Sequence, residues 1–356
     1  MMPGNARNKK IITFERSANL AIFLTLIVIG LGAYTRLTDA GLGCPDWPGC
    51  YGKLTAPLHE GHIAEIQQAY PEAVIEPHKA HNEMVHRYVA GLLGLLVLTL
   101  LVKSLVMKRW RLLCSFLSAL IILQALLGMW TVTLNLIPLV VVAHLLGGFL
   151  VLSLLALLRA EIFFDKHPLM PEPHLRTYLG FAYVVLGVLF TQIILGGWTS
   201  ANYAALACTE LPVCESGWQS RFSFTSIFHL PLGHDTYEFG VLPYEARMSI
   251  HIAHRTGAAI TSVAIVTLLA LCWRRSQSKT LKRMMIIIAL LLGLQITLGV
   301  MNIYWHLPLA NAVAHNVVAA NLFVALILFI QQLHKRTNPL EVCHSISAVA
   351  TRDPNS

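Results

Sequence analysis

The chain has 356 residues, of which 56% are hydrophobic and 12% are charged, and its mean hydropathy is +0.62. These values lie outside the range of soluble globular domains and exclude a soluble enzyme. The formal net charge is +8, but the basic residues cluster between apolar stretches, so they indicate membrane topology and no nucleic-acid partner. The composition therefore predicts an integral membrane protein embedded in a lipid bilayer.

Eight apolar stretches are long enough to cross about 30 Å of hydrocarbon as helices, which takes roughly 20 residues each. In chain order they cover residues 17–37, 83–107, 112–133, 137–160, 176–200, 249–273, 283–304 and 309–334. The first stretch is as long as a span and has no small-residue cleavage site after it, so we expect it to remain as the first helix. The predicted fold is an all-α integral membrane protein with eight transmembrane helices.

Lys and Arg residues cluster before the first span and after the last span. They also cluster in the connections between spans two and three, four and five, and six and seven. Because basic loops stay in the cytoplasm, this alternation predicts that both termini are cytoplasmic. The tails 1–16 and 335–356 and the linker 161–175 are then cytoplasmic, and the long loops 38–82 and 201–248 face outward.

The order of short and long connections repeats after four helices, which indicates an internal duplication. The segment GAYTRLTDAGLGC (32–44) shares residues at equal offsets with GGWTSANYAALAC (196–208), and HRYVAG at 86 matches HRTGAA at 254. In both halves a Gln lies 20 residues before a His, as Gln124 before His144 and Gln295 before His315. We predict two tandem four-helix bundles, 17–160 and 176–334, related by a pseudo-twofold axis along the membrane normal.

Four of the 16 histidines lie near the outer ends of predicted spans, on the second and fourth helix of each half: His86, His144, His254 and His315. A single histidine within a span is usually a packing or hydrogen-bonding residue. Two imidazoles facing each other across a four-helix bundle, however, match the axial ligands of a six-coordinate haem iron. Zinc or copper is disfavoured, because neither half offers a third or fourth ligand at the same depth.

An arginine follows the second-helix histidine of each half: Arg87 and Arg255. Each would either extend to the interface and anchor the helix end, or pair with a haem propionate, whose carboxylate suits a planar guanidinium. The sequence leaves both roles open.

Two cysteine pairs with equal spacing lie in the outward loops: Cys44 with Cys50, and Cys208 with Cys214. An oxidising outer face permits a disulfide in each, whereas Cys114, Cys272 and Cys343 fall on the inner side. Each pair is interpreted as a staple that closes a short loop or as a redox-active pair, and the staple is favoured for Cys208–Cys214.

Taken in this order, the motifs CPDWPGC, EMVHR, the second HR, and the histidines of the fourth and eighth helices resemble the haem A synthase family over residues 17–334. Its members oxidise the C8 methyl group of haem O to the formyl group of haem A for terminal oxidases. The resemblance implies that His86 and His144 flank the substrate haem O, and that His254 and His315 ligate a permanent haem b. It also implies a bacterial inner membrane location, a haem O synthase and an electron acceptor as partners, and allows a homo-oligomer.

The resemblance further implies that Glu83 serves catalysis. Glu83 lies three residues before His86 and thus on the same helix face, whereas the second half has His251 at the matching position. The alternative is a helix-end charge favoured by the helix dipole. His251 is unexpected in a cofactor half, because it introduces another potential iron ligand. The histidines His59, His62, His78 and His81 are assigned to the first outer loop.

Two other functions remain open from the residues alone. A dihaem b-type cytochrome would use the same histidines for electron transfer without chemistry on either haem, but it explains neither Glu83 nor the difference between the halves. A membrane thiol-disulfide oxidoreductase would use the outer cysteines, but it needs no four histidines within the spans.

Overall fold

The computed structural model describes residues 4–57, 59–71, 74–165, 167 and 169–338. Within these ranges the regular secondary structure is helical, with one isolated β-bridge between Cys50 and Lys53. The predicted tail residues Cys343 and Arg352 lie outside the described residues, as does Lys166 of the linker.

Eight helices are long and apolar enough to cross a membrane, which confirms the predicted fold class. They are α1 (Gly4–Leu37), α3 (Pro77–Met107), α4 (Arg111–Thr133), α5 (Pro138–Phe164), α6 (Leu179–Ala201), α8 (Tyr244–Arg275), α9 (Lys279–Tyr304) and α10 (Leu309–Thr337). Two short helices, α2 (Glu60–Ala69) and α7 (Trp218–Arg221), belong to the long loops, and 3₁₀ turns cover Pro173–Tyr178 and Thr225–Phe228.

Helices α3 and α8 begin earlier than the apolar pattern indicated. Helix α3 starts at Pro77, so the assignment of His78 and His81 to the loop is wrong: both lie in its first turns. Proline at the first helical position costs no hydrogen bond and favours this start. The polar first turns extend beyond the hydrocarbon, where hydropathy carries no signal. His86 and His254 consequently lie about two and a half to three helical turns from the start of their helices.

The helices form two rings that follow the chain order. Helix α1 contacts α3 and α5, and α4 closes the first ring between them; α6 contacts α8 and α10, and α9 closes the second ring in the same way. The rings meet where α1 contacts α10 and where α5 contacts α6 and α10. The pseudo-twofold relation between the halves stays a prediction.

The apolar cores of both rings lie toward the end opposite the long loops. Fully buried side chains such as Phe14, Leu100 and Leu155 fill the first ring, and Leu268 and Phe329 belong to the core of the second. Burial of such large side chains is the main source of packing stability there. Smaller apolar clusters, such as those around Met84 and around Trp198 and Ile250, lie at the long-loop end, where α3, α5, α8 and α10 also carry the interior histidines.

The second long loop also contacts the first ring. Arg36 at the end of α1 donates a hydrogen bond of 2.9 Å to the carbonyl of Ser200 and lies 4.0 Å over the ring of Tyr203. Asn135, in the turn between α4 and α5, donates to the carbonyl of Asp235 at 2.8 Å. Residues after α6 are therefore tied to the mouth of the first ring.

Candidate functional site

The four histidines are each placed against a glycine of a neighbouring helix. A Cβ added at Gly32 would lie 3.0 Å from Cε1 of His86, and one at Gly196 would lie 3.0 Å from Cε1 of His254. The remaining contacts, at 3.3 Å and 3.2 Å, join Gly128 with His144 and Gly299 with His315. These distances are shorter than ordinary van der Waals contacts, so a side chain at any of these glycines would displace the imidazole ring.

Glutamine side chains orient three of the histidine segments. Gln124 donates to the backbone carbonyl of His144 at 2.9 Å, and Gln295 lies 3.1 Å from Nε2 of His315. The Gln–His spacing noted in the sequence therefore brings these residues together. Gln192 on α6 was missed: its Nε2 lies 2.9 Å from the carbonyl oxygen and 3.0 Å from Nδ1 of His254. At the matching offset the first half has Val28, which has no polar side chain.

The histidines interact in two pairs, His86 with His144 and His254 with His315, because the rings of each pair are close enough for an electrostatic interaction. Nδ1 of His86, His144 and His315 is buried without a hydrogen-bond partner among the described residues. A haem iron takes neutral imidazoles with an available lone pair. The chemistry of this donor set fits a haem in each ring.

Glu83 lies almost entirely buried between α3 and the first long loop, with 4% of its surface exposed. Its Oε2 accepts a hydrogen bond of 2.9 Å from the backbone N–H of Cys44, and its Oε1 accepts one of 2.5 Å from Arg87. The i, i+4 spacing of Glu83 and Arg87 allows this ion pair along the helix face. A buried carboxylate is thus placed one helical turn from His86.

The second ring repeats this arrangement with His251 in place of the glutamate. Nδ1 of His251 accepts from the backbone N–H of Cys208 at 3.3 Å, and its Nε2 lies 3.3 Å from Nε of Arg255. Both ring nitrogens of His251 therefore face loop or arginine donors. These contacts with the loop and with Arg255 give a structural role to His251, which could not be assigned from the sequence.

Both arginines reach the disulfide loops. Arg87 donates to the carbonyls of Asp46, at 2.9 Å, and Gly49, at 2.5 Å. At matching loop positions, Arg255 donates to the carbonyls of Glu210, at 2.6 Å, and Val213, at 2.5 Å, and also to that of Cys208. Charge-assisted bonds of this kind are the stronger hydrogen bonds of a protein. The predicted propionate contacts of Arg87 and Arg255 stay a prediction, and the geometry adds loop attachment to their possible roles.

The predicted cysteine pairs are both disulfide-bonded, Cys44 with Cys50 and Cys208 with Cys214. Cys114 and Cys272 are reduced and buried. In the described ranges, the one group of potential metal ligands other than the histidine pairs is Cys208, Cys214 and Glu215. Its two sulfur atoms are joined to each other and are therefore not thiolate ligands.

Glu215, close to the second disulfide, has a shifted titration. Burial alone would raise the pKa of Glu215, but hydrogen bonds from the backbone and hydroxyl of Thr209 outweigh burial and lower it. These two bonds measure 2.5 Å and 2.8 Å. The charged carboxylate therefore helps to hold this loop.

The fold and the site together define a multi-pass helical membrane protein with two pairs of interior histidines near one end and a buried carboxylate beside one pair. Its sequence matches the family model of the cytochrome oxidase assembly proteins (COX15-CtaA) over residues 16–327. The chain belongs to this family.

Relatives at two levels of similarity are named heme A synthase. The protein of Shewanella oneidensis is 47% identical over 310 residues, which cover 86% of this chain and 93% of the relative. The protein of Bacillus pumilus is 27% identical over 321 residues, covering 87% and 92%. That of Wolbachia pipientis is 27% identical over 344 residues, covering 89% and 92%.

Proposed function

We propose that the chain acts as a haem A synthase, which oxidises the C8 methyl group of haem O to a formyl group. The observation that carries this proposal is the 47% identity to the Shewanella protein of that name over most of both chains. The asymmetry of the two rings supports it, because Glu83 stands beside one histidine pair and His251 beside the other.

The first ring is the substrate site in this proposal, with His86 and His144 on either side of haem O. The second ring, with His254 and His315, holds a haem b, which supplies one-electron transfer when bound. Three observations favour the second ring as the permanent site. The side chain of Gln192 contacts both the ring and the backbone of His254, whereas Val28 interacts with His86 through its backbone alone. The second ring also has no carboxylate at the position of Glu83.

Glu83 is the catalytic residue of the proposal. Oxidising a methyl group to a formyl group takes one water and releases four protons and four electrons in two successive steps, through an alcohol and a hydrated aldehyde. The Oε atoms of Glu83 would accept a proton from the attacking water or stabilise positive charge that develops at the methyl carbon. The hydrogen bonds from Cys44 and Arg87 fix the carboxylate, and its burial limits access of bulk water.

In this scheme Arg87 and Arg255 attach the disulfide loops to α3 and α8. The disulfides act as staples that hold the loop carbonyls where the guanidinium groups can donate to them. Support comes from the equal offsets of the accepting carbonyls, Asp46 and Gly49 in one loop and Glu210 and Val213 in the other. The same repeated contacts favour the two tandem halves 17–160 and 176–334.

The proposed orientation has both termini in the cytoplasm and both histidine pairs toward the outer face of a bacterial inner membrane. The clustering of Lys and Arg at the end opposite the long loops supports it. In this proposal a haem O synthase supplies the substrate, and an electron acceptor takes the electrons that the oxidation releases. Single cysteines introduced at Lys53 and Lys279, with labelling by a membrane-impermeant maleimide in intact cells, would test the orientation: only the first should react.

Pigment extraction from purified full-length protein tests the function. Co-expression with a haem O synthase should give haem b together with haem O or haem A, and membranes should gain haem A only when both proteins are present. Haem b alone, with no haem A formed, would favour the dihaem cytochrome. Protein free of porphyrin but active in thiol exchange would favour the thiol-disulfide oxidoreductase.

A further inference from the structure

A cationic residue precedes the first histidine of each pair by seven positions. Lys79 precedes His86 on α3, and Arg247 precedes His254 on α8. Seven residues make almost two full turns, so each cation lies on the same helix face as its histidine. The rise is about 10 Å toward the long-loop end, which is on the scale of the distance from a haem iron to the carboxylates at the haem edge.

Arg247 is half-buried and unpaired. Its Nε is buried without a hydrogen-bond partner, and its guanidinium makes no ion pair with any residue that the structure describes. The guanidinium of Arg255, one turn of helix beyond His251, is hydrogen-bonded instead: it donates to the carbonyls of Cys208, Glu210 and Val213. The hydrogen bonds of Arg255 use four of its five N–H donors, whereas the guanidinium of Arg247 has all of its donors available for a ligand among the residues that the structure describes.

Burying a guanidinium without a partner is costly, and its planar set of donors suits a carboxylate in particular. We infer that Arg247 binds a propionate carboxylate of the haem whose iron is held by His254. This assignment rests on the proposed function, and it moves the propionate contact of the second ring from Arg255 to Arg247.

Lys79 shows why the first ring would hold its haem less firmly. Its Nζ forms an ion pair of 2.6 Å with Glu76, and Asp39 and Glu238 also lie within electrostatic range. These carboxylates neutralise the cation and repel a propionate. A neutralised cation suits a substrate that must leave as product, whereas an unpaired arginine suits a haem that stays.

The test compares Arg247→Gln with Arg255→Gln in full-length, haem-loaded protein. Two properties of haem b are measured: its midpoint potential, and its rate of transfer to excess apomyoglobin. Losing a charge-assisted bond to a propionate should speed haem loss roughly ten- to a hundredfold in Arg247→Gln. It should also lower the potential, because a cation near the haem favours the reduced, less positive state. The Arg255→Gln variant should keep the wild-type rate of haem transfer. Because the charge of Arg255 also acts on His254, its potential should fall as well, and the transfer rate is therefore the readout that separates the two variants.

A low-spin b-type spectrum in Arg247→Gln, with wild-type potential and wild-type haem loss, would overturn the inference, as would the same changes appearing in Arg255→Gln instead. If Arg247→Gln does not accumulate, Arg247→Lys decides: a potential near wild type supports pairing by charge, and a potential lowered despite the retained charge rejects it. Failure of the proposed function looks different, because haem b would then be missing from the wild type or would persist unchanged in His254→Ala.

Discussion

Replacing Glu83 by glutamine separates a catalytic carboxylate from a structural one. The side chain of Glu83 is 5% exposed, and its two oxygens accept from different donors, Cys44 N–H and Arg87. Glutamine has nearly the same size but a single acceptor oxygen, so one of the two donors must face an amide nitrogen. The change therefore removes the charge and one charge-assisted hydrogen bond while leaving the packing of α3 in place.

The structure sets the scale of both effects. Losing a hydrogen bond to a charged group costs roughly 1.5–3 kcal/mol, but Arg87 keeps its bonds to the carbonyls of Asp46 and Gly49, so the loop should remain attached. His86 and its contact with Gly32 do not involve Glu83, so haem O should still load. Removing one electrostatic contributor from the reacting site should slow turnover by about 10²–10³-fold.

The assay is the porphyrin composition of the purified variant and of membranes that express it with a haem O synthase. We expect haem O or its alcohol to accumulate and haem A to disappear in Glu83→Gln. The matched control is His251→Gln, which changes the equivalent position of the second ring and should leave the haem A yield intact. Normal haem A yield at normal turnover in Glu83→Gln would reduce Glu83 to a helix-end charge, and loss of all haem would make its role structural.

Four further predictions concern the surroundings of the site. His254→Ala should abolish the low-spin b-type spectrum because the iron loses an axial ligand, whereas His251→Ala should leave it nearly intact; an unchanged spectrum in His254→Ala contradicts the ligand assignment. Cys208→Ser should weaken folding or haem retention without changing the products, as expected of a staple; free thiols at Cys208 and Cys214 in thiol-blocked native protein, seen by mass spectrometry, would rule the staple out. Arg36→Ala removes the bond to Ser200 and the contact with Tyr203 and should destabilise the detergent-solubilised protein by about 1–3 kcal/mol, while Lys53→Ala, which breaks an exposed ion pair with Glu65, should change its thermal unfolding little. The lowered pKa of Glu215 stabilises the second disulfide loop above the ordinary glutamate value of about 4.3, and this contribution should be lost as pH falls through the lower folded value; protease protection of the loop should decline in that acidic range for the wild type, and a Glu215→Gln variant with the same decline would contradict it.

The parts of the fold that depend on hydrocarbon thickness could be predicted from the sequence. A span needs roughly 20 apolar residues, and the eight long apolar helices among the residues that the structure describes coincide with stretches of that length. The starts of α3 and α8 could not be predicted in the same way, because their first turns are polar and lie where helix and loop have similar hydropathy. His78 and His81 were misassigned for this reason.

The candidate site was predictable where it repeats and hidden where the halves differ. Two of the glutamine–histidine contacts follow from a spacing that occurs twice in the chain. Gln192 has no counterpart in the first half, where Val28 occupies the position, so the repeat gave no signal for it. The loop partners of Arg87 and Arg255 could not be predicted either, because they are backbone carbonyls, and the identity of a residue does not show where its carbonyl group lies.

Three positions at which the halves differ support the same division of tasks, with retention of a haem in the second ring and reaction of a haem in the first. The first ring has Val28, Lys79 and Glu83 where the second has Gln192, Arg247 and His251. In the second ring these residues add a side-chain hydrogen bond to His254, leave the cation of Arg247 unpaired, and replace a carboxylate by an imidazole held between the loop and Arg255. In the first ring the cation is neutralised by Glu76, and a carboxylate lies one turn from His86. Because retention of a haem and reaction of a haem make opposite demands on these positions, a duplicated scaffold could divide the two tasks through a few substitutions while keeping its loops, disulfides and loop-binding arginines.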